Sequence, residues 1–127
     1  MVIRAISLFD AFGNELYYEI YATFTPNFPL LTRILLGMKE HFVKEYDSIE
    51  LGQYRIPVLI TSDFSLFVLA DRVNSDEELE KILRFLIDSA EDIFGRSEKV
   101  DEYKIEAFRE KTYEAVKMLP IKCTLTG

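Results

Sequence analysis

The chain of 127 residues has one cysteine, one histidine, one glutamine and no tryptophan. A lone thiol, Cys123, excludes an internal disulfide framework and a cysteine metal cluster, which fits a reducing compartment; a cytoplasmic location is expected. A lone histidine, His41, has no cysteine or acid at a clear ligand spacing and no partner to orient it, so it reads as a surface or boundary residue rather than a catalytic base. No metal site and no cofactor is expected. No stretch approaches the ~20 apolar residues of a membrane span. The opening MVIRAISLFDAFG is interrupted by Arg4 and Asp10 and lacks a small-residue cleavage pattern, so it does not read as a signal peptide. The glycines make no phosphate loop; Gly13, Gly37, Gly52 and Gly95 fall at a turn, inside a helix, at a turn and at a helix end. One glutamine and three asparagines beside many Glu and Lys is a bias of proteins from hot environments.

What is present is charge of one sign. The net charge is -7 and the pI near 4.8, which argues against a phosphate-binding surface and hence against nucleic acid. Residues 74–114 hold thirteen acids against seven bases, so the acidic surface belongs to the C-terminal half. The length fits one domain, residues 1–127, with 121–127 as a loose tail or an added strand.

The stretch Arg55 to Asp71 reads as two strands folded on one another. Phe64, Leu66, Phe67, Val68, Leu69 and Ala70 leave almost no polar position on either face of the second, and such a strand must be covered on both sides. Val2 to Phe9 reads as another interior strand. It turns through Asp10 to Asn14 into Glu15 to Thr23, where Leu16, Tyr18, Ile20 and Ala22 alternate with Glu15, Tyr17, Glu19 and Tyr21, the pattern of an edge strand with one partly wet face. Ser48 to Leu51 is a short strand before Tyr54 to Thr61, in which Pro57 demands a bulge, a strand start or an unpaired side.

Three amphipathic helices complete the chain. The first is expected from Pro29 to Tyr46, with Leu31, Ile34, Leu35, Met38, Phe42 and Tyr46 as its buried stripe and Gly37 packed closely at its middle. The second has a capping box, Ser75 with Glu78, and a stripe from Leu79 to Phe94 closed by Gly95. The third starts between Ser97 and Tyr103 and ends before Pro120.

The order strand, strand, helix, strand, strand, strand, helix, helix resembles a longin domain, the profilin-like unit of longin-type fusion proteins and clathrin-adaptor small subunits. The hairpin IRAISLFDAFGNELYYEIY, the segment LGQYRIPVLITSDFSLFVLADRV and the final helix pair carry the likeness. It implies an α+β fold, a five-stranded antiparallel sheet of order 2-1-5-4-3 with one helix on one face and two on the other. It also implies a non-enzymatic protein-interaction module that docks peptides or small GTPases. The sequence shows no coiled-coil fusion segment, anchor or second domain, so the role of anchored longin proteins is not expected of it.

For function, Tyr17, Glu19 and Tyr21 on the edge strand, extended by Phe24 and Phe28, form the expected interaction patch, because tyrosines bring large contact area at low entropy cost. The competing reading is that these phenols pack under a helix end. A homodimer through this strand or through the first helix is expected. The alternative class is a small-molecule sensor of PAS or profilin-like fold, which requires an internal pocket with convergent polar groups. No nucleophile, base and oxyanion donor can be assembled from these residues, so no enzyme is expected.

Overall fold

The computed structural model of the chain describes residues 3–22, 27–42, 45–72, 74–95 and 100–117. The elements are β1 (Ile3–Asp10), β2 (Glu15–Ile20), α1 (Phe28–Gly37), a single 3-10 turn (Lys39–His41), β3 (Tyr46–Leu51), β4 (Tyr54–Ile60), β5 (Phe64–Asp71), α2 (Asp76–Phe94) and α3 (Glu102–Lys117). The strands form one antiparallel sheet in the order β2-β1-β5-β4-β3. The two least polar strands, β1 and β5, lie at its centre, where both faces are covered.

Alternation along the central strands divides the core. Ile6, Leu8, Leu66 and Val68 pack with Leu79, Leu83 and Leu86 of α2 and Phe108 of α3. Ala5, Phe9, Phe67 and Leu69 point the other way, toward Phe28 of α1. One helix therefore covers one face and two cover the other. The second side is the thinner, since α1 is ten residues long and buries only Phe28 and Thr32 completely.

Local chemistry sets the boundaries. Ser75 accepts a hydrogen bond from the Glu78 amide at 3.2 Å, and Asp76, Glu77 and Glu78 sit at the positive end of the α2 dipole. Gly95 closes α2 through its own amide on the Glu91 carbonyl while staying right-handed, so its lack of a Cβ matters by space, not by φ: a Cβ would collide with that carbonyl.

Two expectations need correction. The first helix ends at Gly37, not Tyr46, and Phe42 and Tyr46 reach the two core clusters from a turn and a strand. Gly37 is not packed closely, because a Cβ there would meet nothing. Pro57 is resolved as an unpaired side. The β4–β5 ladder lapses at Ile56 and Pro57 and resumes in the same register at Val58 with Phe67, while Pro57 keeps its place opposite Ser48. Cys123 and the 121–127 tail lie outside the described residues.

Candidate functional site

The face of β2 expected to be wet is the covered one. Between Leu8 and Phe9 the β1–β2 register shifts, so Leu16 is an extra residue in β2 and packs into the same cluster as Tyr17 and Tyr21. Beyond that bulge Tyr17, Glu19 and Tyr21 turn toward α3. Tyr17 is 3% exposed, and its ring stands edge-on to Phe108 at 5.0 Å.

The polar groups on this face are met by α3. Tyr17 Oη donates to Glu19 at 2.6 Å, Tyr21 Oη donates to Thr112 Oγ1 at 2.8 Å, and Thr112 donates on to the Arg109 carbonyl at 2.7 Å. Arg109 pairs with Glu19 at 3.4 Å and with Glu106, and its guanidinium lies 5.9 Å from the Tyr17 ring centroid. A chain of satisfied hydroxyls lets a polar strand face be buried at modest cost. This is the helix-packing reading of the phenols. The expected exposed aromatic patch is therefore corrected: Tyr17 is unavailable, Tyr21 is half-buried against Tyr113, and Phe28 is 0% exposed, stacked on Tyr18 at 6.4 Å. Phe24 lies outside the described residues.

Burial, and next the bond to Glu19, push the Tyr17 phenol up to about 12, against the opposing bonds with Thr112 and Tyr21. Tyr21 is also raised, by burial above all. The sign follows: an unfolded tyrosine titrates near ~10, so the neutral phenol stabilises the fold fully below that pH, and the contribution is lost as pH rises toward the folded value. In an alkaline titration, the phenolate absorbance that Tyr17→Phe removes should emerge near pH 12, together with loss of circular dichroism. Ionisation of Tyr17 near its ordinary value with the fold intact would contradict this packing.

A row of exposed apolar side chains lies elsewhere. Leu30, Ile34 and Met38 follow one another at four-residue spacing on the outward side of α1 and the residue that caps it, 56%, 52% and 47% exposed. Leu31, Leu35 and Leu36 take the inward side. A signal for this was present in the sequence. Residues 28–38 hold one charge, Arg33, and are apolar nearly all round, which a one-sided surface helix is not.

Asp10 and Asp71 stand at opposite ends of the paired β1 and β5, Asp10 opposite Phe64 and Asp71 bound to Arg4 at 2.7 Å. His41 is exposed in the 3-10 turn. Among the described residues no three acids, histidines or cysteines gather as a metal site, and no helix is long and apolar enough to cross a membrane. Neither a family model nor a characterised protein matches this sequence.

Proposed function

We propose that this chain is a non-enzymatic protein-interaction module of longin type, working in the cytoplasm. The sheet order and the one-and-two placement of helices are what that likeness implies. The observation that carries the reading is the outward ridge Leu30, Ile34 and Met38. Aliphatic side chains in a row at half exposure, on a chain otherwise rich in charge, mark a contact surface.

The occupant we assign is a second copy of the chain. Residues 27–38 contain no acid, so two molecules of net charge -7 repel each other least where their α1 helices meet. A small GTPase or another trafficking partner is the heterologous alternative for the same ridge. Size-exclusion chromatography with light scattering on the wild type beside a Leu30→Lys, Ile34→Lys variant tests this. Both side chains are half exposed, so the variant should keep its circular dichroism. A wild-type dimer and a folded monomeric variant are expected. Monomers in both cases would overturn self-association and leave a heterologous partner.

A second reading, a small-molecule sensor, is favoured by one observation. Ser7 Oγ and Tyr18 Oη are buried without a hydrogen-bond partner among the described residues, and the two residues are register partners beneath α1. Against it, the hollow of about 520 Å³ beside β3 is open and lined by Glu45, Asp47, Asp76, Glu80 and Arg84, a surface groove of charge rather than an apolar pocket.

A further inference from the structure

A second surface lies at the end of the sheet where the β1–β2 hairpin, the β4–β5 turn and the C-terminus of α2 converge. Phe12 at the hairpin tip is 90% exposed. The loop that carries it is held firmly: Asp10 accepts hydrogen bonds from the amides of Phe12 and Asn14, both at 2.9 Å, and from the Asn14 side chain at 3.0 Å. Gly13 takes φ +85°, which the turn requires and a side chain would resist. A phenyl ring presented to water on a braced loop forgoes the transfer energy of burial, and a preorganised aromatic is what a contact anchor needs.

Beside Phe12 is a cleft of about 420 Å³ whose apolar lining comes from Phe12, Leu16, Phe64, Phe94 and Val100. It shares Asp63 and Gly95 with a second hollow of about 510 Å³ bordered by Glu91 and Asp92. The charges here are arranged against the helix. The last turn of α2 contains no base, and Glu91 and Asp92 crowd the negative end of its dipole, where cations are favoured. Asp63 joins them from the β4–β5 turn, and among the described residues no base lines either hollow.

We propose that this cleft docks a basic segment of a partner protein, an extended stretch in which an apolar side chain enters beside Phe12 and flanking lysine or arginine meets Asp63, Glu91 and Asp92. Charge complementarity selects this occupant. A second copy of the chain would bring its own excess of acids, and an acidic peptide would be repelled. The surface is independent of the α1 ridge, so loss of the α1 dimer leaves it standing.

The test is an amide chemical-shift titration of the isotope-labelled protein with a synthetic hexapeptide of alternating lysine and leucine, and with its glutamate-for-lysine counterpart. Shifts confined to Phe12, Asp63, Phe64, Glu91 and Gly95 are expected with the lysine peptide alone. Phe12→Ala, which removes an exposed ring and should fold normally, should weaken binding about tenfold. Glu91→Gln should weaken it by more than Glu77→Gln, the same charge change at the other end of α2. Four results overturn the proposal: no binding of the lysine peptide, equal binding of the glutamate peptide, equal effects of Glu91→Gln and Glu77→Gln, or shifts centred on Leu30 and Ile34.

Discussion

Phe67→Ala is expected to lower the free energy of unfolding by about 3–5 kcal/mol, a large share of the roughly 5–15 kcal/mol that an ordinary domain possesses. The ring is fully buried in the central strand β5, meets Phe9 edge-on at 5.9 Å, and is register partner to Ser7 on one side and Val58 on the other. Both partners are held by sheet pairing, so the strands cannot close in on the vacated volume. Among the described residues the lid is α1 with Phe42 beyond it, and α1, which touches the sheet through a few side chains, would have to sink as a unit. Urea unfolding should show a lower midpoint with little change in slope. A loss of under about 1 kcal/mol would mean that α1 does collapse into the space, and that this layer is softer than its packing implies.

Phe108→Ala should cost a similar amount, about 3–5 kcal/mol, but in a different place. Among the described residues, α3 buries completely only Phe108, Thr112 and Ala115, and Phe108 is the large one. Its ring bridges Tyr17 at 5.0 Å and Phe94 at 5.6 Å, joining β2, α2 and α3. Without it α3 keeps the small Ala115, the partly buried Ile105 and Val116, the hydroxyl chain and a partly exposed ion pair among its described contacts with the core and β2, and an exposed pair contributes little. Hydrogen exchange should therefore speed up across α3 and at Tyr17 to Tyr21 while β1 and β5 stay slow, the signature of one element opening before the whole. Exchange that rises uniformly would show α3 to be integral to the global unit instead.

The architecture was legible wherever a residue's environment follows from its own neighbours. The doubly apolar run Phe64 to Ala70 demanded a central strand, and the Ser75–Glu78 cap placed the start of α2 to the residue. Misreading began where partners come from afar. The stripe from Leu31 to Tyr46 kept helical spacing across a break, because Phe42 and Tyr46 are partly buried from non-helical backbone, and periodicity records burial without recording what buries it. On β2 the bulge at Leu16 slipped the alternation by one, and no local signal announced that Arg109 and Thr112, some ninety residues on, would satisfy Tyr17, Glu19 and Tyr21. Polar side chains look solvated until their partners are known. The converse error put Ile34 and Met38 inside. The α1 ridge and Phe12 are apolar residues left outside, and composition assigns such residues to a core by default.

The pairing of β1 with β5 also sets a clock. Arg4 and Asp71 are bound to each other at a sequence separation of 67 residues. On a ribosome adding about 5–20 residues per second, β1 emerges and then waits roughly 3–13 s for the strand that will pair with its second edge. The β1–β2 hairpin closes locally in the meantime, but the other edge of β1, from Ile3 to Asp10, stays unpaired until Phe64 to Asp71 arrives. A nascent chain stalled before Asp71 would thus present an unpaired apolar strand edge, and during synthesis the greatest exposure to aggregation falls in that interval rather than in the finished protein.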